Sequence, residues 1–450
     1  MRIETAIPID EQLLRVAFGE GYRGGLHQPI RAVSTDTRTL RRGDLFFALE
    51  GEHKSGEAFV KDAMALGAYT ISTRYKDATV NFPDTEKALL TLANAYKSMV
   101  APKFTIAVTG SVGKSTVKDM LYHLVGKRFR AHATYGNLNS TIGVPLTVFS
   151  MPPTTEIAIF EAGMNHAGEL SRIAECIRPD IAVITKIGTA HIGNLGSREA
   201  IASAKCEILS HGSPMLFKPY GEKLLNNIPG KTVSCSSNEA DYALLQASEK
   251  VYEFHSERQG FRVNVDLPLG AHTPECLAFA LAVCDALGMN ESEIIEALPE
   301  ISNIERGIRM TTIGDAFILD DSYNASYESV ISALSTLGRH SGRRVAVLGD
   351  ILELGNESKY IHEAVGKACV KHGVDELYTF GTLANDIAVG AVNEGFDRNN
   401  VYINPDLSDP GKTAKAISDN SRPGDMILFK ASHKTDIYRI IAELKRLSEV

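Results

Sequence analysis

The stretch best equipped for chemistry is Gly110-Ser111-Val112-Gly113-Lys114-Ser115-Thr116, which follows the apolar run "FTIAVT" and opens a helical pattern. A glycine turn between a strand and a helix lets backbone N–H groups and the helix N-terminus converge on an anion. Lys114 would pair with β- and γ-phosphates, and a hydroxyl of Ser115 or Thr116 would reach Mg²⁺. The full phosphate-loop pattern, G-x-x-x-x-G-K-[ST], wants a glycine where this chain has Val108. A plain strand-to-helix turn with an exposed lysine fits the same letters, so the loop points to phosphate without naming a reaction.

Four further segments carry reactive side chains. "FEAGMNHAGEL" places Glu161 at a strand end, where a carboxylate beside a phosphate loop can hold Mg²⁺ or simply cap the next helix. "ITKIGTAHIG" places His191 after another strand end, on the same expected ligand side. Lys205 sits in a helical pattern among Ala200, Ile201, Ala204 and Ile208. Facing inward, it would tend to lose its charge, and a neutral amine can take up CO₂ as a carbamate, a carboxylate-like metal ligand. Facing outward, its stem would pack while its head reached water. "ILDDSYNAS" ends a strand in Asp320 and Asp321, with Arg309 just upstream, either a nucleotide clamp from another domain or a surface ion pair.

The elements that must position these groups read as α/β throughout. At 450 residues the chain is too long for one ordinary core. Residues 1–100 contain the strand-like "DLFFAL", an amphipathic helix running into a strand in "GEAFVKDAMALGAYTIS", and a second helix in "DTEKALLTLANAYKSMV". From 101 to 308 short apolar runs ("FTIAVTG", "EIAIFEAG", "DIAVITKIG", "SPMLFK") alternate with helices, which implies a parallel sheet buried on both faces. From 309 to 450 "AFILDDSY", "RRVAVLGD", "ELYTFG" and "DMILFKAS" repeat the rhythm as a small doubly wound domain.

Bulk properties narrow the function classes. A hydrophobic fraction of 44% with 23% charged residues describes a globular chain, and a net charge of −8 gives no general pull toward nucleic acid or acidic membranes. Glu4, Asp10 and Glu11 interrupt any signal-peptide core, and no apolar run approaches the roughly 18 residues needed to span a bilayer. The cysteines at 176, 206, 235, 276, 284 and 369 are scattered, without C-x-x-C, which speaks against structural zinc or a disulfide framework. The expected compartment is the cytoplasm.

Taken in order, "STDTR…GDLFFALEGE", "TGSVGKST", "GNLNSTIGVPLTVF", "EAGMNHAGEL", "ITKIGTAHIGNLGSREAIASAKCEIL", "ILDDSYNAS" and "AVLGDILELG" resemble the Mur ligases, ATP-dependent amide-forming enzymes of cell-wall precursor synthesis. Within that family the resemblance is to the type that joins D-alanyl-D-alanine to UDP-N-acetylmuramoyl-tripeptide. The family's short loop, T-G-x-x-G-K-[ST], makes Val108 normal.

The resemblance implies a UDP-sugar-binding domain (1–100), an ATPase domain (101–308) and a Rossmann-like domain (309–450) that closes over the site. It implies ATP and Mg²⁺ and no organic cofactor, with phosphorylation of a carboxylate followed by amine attack on the acyl phosphate. By the same resemblance Gly110–Thr116 cradle the phosphates, Lys114 grips them, and Ser115 binds Mg²⁺. Glu161 and His191 position metal ions, Lys205 is carbamylated, and Arg309 and Asp321 touch ATP. Asp36, Arg38, Asn137, Asn139 and Thr141 then meet the UDP-sugar peptide. The protein is expected to be a monomer.

Departures from the family pattern are Cys276 in place of an asparagine near the nucleotide, and Lys54, Ser55 and Glu57 in "GEHKSGEAF". "SYNAS" lacks a following Asn-Pro, and "LFKASHKTD" carries Ala431 and His433 for glycine and arginine. "PMLFKPYGEKLLN" is less acidic than the usual segment there. The altered loop at 53–58 motivates a second reading, a ligase of this fold acting on another carboxylate and amine. A third reading is a non-catalytic partner that binds nucleotide.

Overall fold

The computed structural model describes residues 1–449 except 52, 53, 268 and 305–307. Its strands form three sheets in chain order, each flanked by helices. The first sheet runs β1 (Arg2–Ile9), β2 (Ile30–Ser34), β3 (Leu45–Phe47), β4 (Tyr69–Ser72) and β5 (Val80–Asn81), in that spatial order. Strands β2 to β5 are parallel, and β1 pairs antiparallel with β2.

The second sheet comprises β6 (Phe104–Thr109), β7 (Ala131–Ala133), β8 (Ile157–Glu161), β9 (Ile181–Ile184), β10 (Met215–Pro219), β11 (Lys231–Ser234), β12 (Tyr242–Gln246), β13 (Val251–Ser256) and β14 (Gly260–Asn264). Its spatial order is β14-β13-β12-β11-β10-β9-β6-β8-β7. Strands β7 to β12 are parallel, as the alternation with helices requires. The sheet continues into an antiparallel ladder, β12-β13-β14, that the rhythm of apolar runs did not reveal. The reason is chemical: β13 and β14 alternate buried and exposed residues, the pattern of a sheet wetted on one face, whereas β8 and β9 are buried throughout.

Strand β6 lies between β8 and β9, so the connections leave it in opposite directions. In such open sheets a crevice forms at the carboxyl end of that strand. Residues 110–116 follow β6, Glu161 ends β8, and Thr185 follows β9, so three site segments share one edge by topology alone.

The third sheet comprises β15 (Arg309–Ile313), β16 (Ala316–Asp320), β17 (Arg344–Gly349), β18 (Glu376–Phe380), β19 (Val401–Asn404) and β20 (Met426–Lys430), in the order β15-β16-β20-β17-β18-β19. Only the β15–β16 pairing is antiparallel.

The first two sheets share one hydrophobic core running from Ile9 through Tyr96 to Phe160 and Leu216. The helix Thr85–Val100 joins them. Asp84 caps it through the Lys87 N–H, and one face buries Leu89, Leu92, Ala93 and Tyr96. On its other side Asn94 and Lys97 donate to the carbonyls of Cys176 and Ile177, which end a helix of the second sheet. The third sheet has separate cores on its two faces.

Candidate active site at the carboxyl edge of the central sheet

The loop after β6 has the backbone that its glycines permit. Gly110 and Gly113 lie at φ of 145° and 86°, where a side chain is strained. A Cβ on Gly110 would stand 2.0 Å from Thr185 Oγ1, and one on Gly113 would stand 2.9 Å from Cys276 Sγ. The loop is tied to the segment after β9: Ser111 N–H donates to the Lys186 carbonyl, and Ser111 Oγ accepts from Gly188 N–H. Gly113 caps the helix Lys114–Val125, so that helix opens with its N–H groups facing the crevice.

Around this loop the expected residues converge. Ser115 Oγ donates to Glu161 Oε2 at 2.7 Å, and Asn139 Nδ2 donates to Glu161 Oε1 at the same distance. The carboxylate is buried and held from behind, since Glu161 N–H donates to Thr134 Oγ1 while the Thr134 carbonyl accepts from Lys118 Nζ. The Lys114 ammonium donates to the Gly110 carbonyl at 2.8 Å. The residue is half-exposed as a whole, but protein packed around its head desolvates it and lowers its pKa, with Glu161 opposing.

Lys205 faces inward, as one of its two readings required. It is 2% exposed and has no hydrogen-bond or ion-pair partner among the described residues. Burial depresses its pKa strongly, and the nearby Lys114 ammonium adds to the effect. Burial here favours the uncharged amine, the form that reacts with CO₂.

Other expected residues lie elsewhere. His191 is not hydrogen-bonded to Glu161: its Nδ1 meets Glu353 Oε2 of the third sheet's domain at 2.6 Å. No group of three or more His, Cys, Asp or Glu side chains among the described residues gathers as a metal cage. Arg309 is exposed on β15 in register with Asp320, while Asp321 is bound by Lys430 at 2.6 Å. Burial raises the Asp321 pKa against that pairing. Thr116 is buried, Val112 lines a small pocket beside the loop, Asn137 is exposed, and Thr141 is half-buried. Asp36 pairs with Arg38, whose N–H groups hold its carboxyl well below the usual carboxylate range.

Beside the altered positions Lys54, Ser55 and Glu57, residues Glu52 and His53 of "GEHKSGEAF" lie outside the described residues. Glu57 is turned inward, accepting from Ser72 Oγ, Thr73 N–H and Thr73 Oγ1. Cys276 sits under the phosphate loop, with Sγ 3.8 Å from the Gly113 carbonyl, and burial pushes its thiol pKa up. His272, Glu275 and Cys276 line the same small pocket as Gly113, Thr185 and Lys186, closed on the far side by Glu328 and Ser332.

Matches to known proteins follow the same outline. The Mur ligase middle domain matches residues 108–283, and the Mur ligase glutamate ligase domain matches 308–433. The UDP-N-acetylmuramoyl-tripeptide–D-alanyl-D-alanine ligase of Bacillus subtilis is 34% identical, over 92% of this chain and 93% of its own length. The chain belongs to the Mur ligase family. The Escherichia coli ligase of the same name is 33% identical over 81% of this chain and 84% of its own. A crystal structure of MurF from Acinetobacter baumannii superposes with a TM-score of 0.87 at 26% identity, covering 98% of this chain and 99% of that one. The Thermotoga maritima MurF structure in complex with ADP gives 0.82, also at 26% identity, over 93% of this chain and 97% of that one. As a Mur ligase this chain is an ATP-using, amide-forming enzyme.

Sequence reasoning missed several residues of this Mur ligase that hold the site in place. Lys430 carried a visible signal, a lysine closing an apolar strand. Glu328, Glu353, His272 and Thr134 carried none, since their roles depend on contacts between segments far apart in the chain.

Proposed function

We propose that this Mur ligase adds D-alanyl-D-alanine to UDP-N-acetylmuramoyl-tripeptide in the synthesis of peptidoglycan precursors. The observation that carries the reading is the extent of the match: ligases named for this reaction align over more than nine-tenths of both chains. Glu57 weakens the case for a different substrate pair, because its carboxylate is sealed by three donors and serves the fold of the first domain.

In this reading residues 1–100 bind the UDP-sugar end, 101–308 hold ATP, and 309–450 close over both. Gly110–Thr116 cradle the phosphates, and Lys114 leaves the Gly110 carbonyl to grip them. A terminal carboxylate oxygen of the tripeptide attacks the γ-phosphorus and ADP leaves. The amine of D-alanyl-D-alanine then attacks the acyl carbonyl; phosphate departs, and the amine proton is lost as the amide forms. The work of the chain is alignment, charge neutralisation and exclusion of water from the acyl phosphate.

The oxygen donors Ser115 and Glu161, already 2.7 Å apart, suit a hard divalent cation such as Mg²⁺. When bound there, Mg²⁺ supplies positive charge to the phosphates. Asn139 orients Glu161, and the side chains of Asn137 and Thr141, with Asp36 and Arg38 farther off, contact the substrate. His191 is the family's metal-positioning histidine, and the Lys205 amine takes up CO₂ and loses a proton to become a carbamate, placing an anionic oxygen ligand near Lys114. Arg309 and Asp321 approach ATP from the third domain. No helix among the described residues is long and apolar enough to cross a membrane, and we place the enzyme in the cytoplasm as a monomer.

The test is ADP formation with both substrates, each alone and neither. Dependence on both, abolished in Lys114→Ala, supports the reading. Dependence on the tripeptide alone, or on a different amine, selects a ligase of the same fold with another substrate pair.

A further inference from the structure

Five non-glycine residues in the described chain have positive φ. Three of them, Ala101, Arg178 and Asp436, end helical segments, where a left-handed residue is ordinary. The other two are His191, at 66°, and Glu353, at 64°. These two meet each other across the boundary between the second and third domains, His191 Nδ1 to Glu353 Oε2 at 2.6 Å. Strained backbone persists only where the surroundings over-determine it. Here the strain sits on both sides of one contact.

The surroundings show what enforces it. His191 lies in the segment Gly188-Thr189-Ala190-His191-Ile192-Gly193, and the third domain grips that segment at both ends. At one end Glu328 accepts from Thr189 N–H at 2.7 Å and from Thr189 Oγ1 at 3.3 Å. At the other, Gly193 N–H donates to the Glu353 carbonyl at 2.9 Å. Both terminal glycines are sites of close approach. A Cβ on Gly188 would stand 2.5 Å from the Glu328 carboxyl, and one on Gly193 would stand 2.6 Å from Gly355 N.

The loop that carries Glu353 is anchored in its own domain. Ile351 N–H donates to Nε2 of the fully buried His362, Leu352 N–H donates to Ser432 Oγ, and Asp350 accepts from Ala384 N–H. Glu328 opens a helix whose next turn brings Ser332 to His272 Nδ1 at 3.1 Å, so that helix covers the pocket beside Gly113. The grip on 188–193 therefore also closes the phosphate loop's flank.

We propose that Glu353 and Glu328 are positioning residues that clamp segment 188–193 and thereby set the docked arrangement of the third domain in which this enzyme turns over. The phosphates meet the central domain, and Arg309 and Asp321 add their contacts only in the docked arrangement that turns over, so the clamp governs turnover more than ADP binding. The kinetic arm of the test rests on the proposed reaction, whereas the scattering arm does not.

The experiment uses the full chain with ADP present, measuring small-angle X-ray scattering, ADP affinity by calorimetry, and steady-state rates. The variants are Glu353→Gln, the double change Glu328→Ala with Glu353→Ala, and Gly193→Ala. In the double variant and in Gly193→Ala the radius of gyration rises measurably and kcat falls about tenfold or more, while the Kd for ADP shifts less than about threefold. Glu353→Gln, whose amide oxygen still accepts from His191, recovers most of kcat. Gly193→Ala decides the matter if the double variant does not fold, since it leaves both carboxylates in place. Unchanged scattering in both variants would overturn the proposal, as would an ADP affinity that falls in step with kcat. Should the wild-type chain turn over other substrates, the scattering comparison still stands on its own.

Discussion

The residues at the phosphate loop show how burial selects protonation state. Lys205 is buried and lies near Lys114, and both effects shift its amine toward the neutral, nucleophilic form. Lys205→Ala is expected to lower kcat about a hundredfold or more, and a short carboxylic acid added to that variant should restore part of the rate. Absence of rescue would leave Lys205 a packing residue. His272 responds to the same forces. Burial, with Lys430 and Lys186 adding like charge, pushes it down to about 4. Between its ordinary value and that one the unfolded chain binds a proton that the folded chain refuses. Stability therefore falls as the pH drops through the window from about 6.5 to 4. Denaturant melts at pH 7 and pH 4.5 should show a smaller loss for His272→Asn than for the wild type, and equal losses would contradict it. At this scale the sequence disclosed residue types and their edge of the sheet. It could not choose between the inward and outward orientations of Lys205, because helical periodicity places a side chain on a face without showing what the face meets.

The elements explain why the loop tolerates no substitution at its glycines. Strand β6 delivers the chain into a space already filled by Thr185 and Cys276, which leaves room for hydrogen and nothing larger. Gly110→Ala is expected to weaken ADP binding by about tenfold or more, read by calorimetry, with a smaller effect on the thermal midpoint than on affinity. An unchanged affinity would show that the loop is not the phosphate cradle. Strand-loop-helix alternation was legible because strands buried on both faces read as unbroken apolar runs. Strands β1, β2, β5, β7, β11 to β15 and β19 escaped the same reading. Those at or next to a sheet edge carry polar residues that interrupt the pattern, and the interior β11 and β12 are short runs of four and five residues with polar ends. The departure at "SYNAS" also resolves locally: Ser326 caps the helix Tyr327–Leu337 and forms a reciprocal pair with Ser329, so the helix starts without the missing Asn-Pro.

The whole molecule divides by its cores more unevenly than by its sheets. The first two sheets share one apolar core, bridged by the helix Thr85–Val100, while the third domain folds around its own. Residues 1–304 should therefore unfold as one cooperative unit and the third domain as another, giving two calorimetric transitions with the third domain's shifted by Glu328→Ala. A single transition insensitive to that change would contradict the division. Family membership was legible from seven ordered segments, but the contacts between domains were not. Thr189 meets Glu328 and His191 meets Glu353 only after the third domain has docked on the unit formed by the first two.

In the reaction assigned here, this chain activates a carboxylate as an acyl phosphate before forming the amide. The direct test is to label the terminal carboxylate of UDP-N-acetylmuramoyl-tripeptide with ¹⁸O and collect the inorganic phosphate released during turnover with ATP and D-alanyl-D-alanine. One labelled oxygen is expected to appear in that phosphate. Phosphate free of label would mean that the carboxylate never attacks phosphorus, and the mechanism assigned to this site would be wrong.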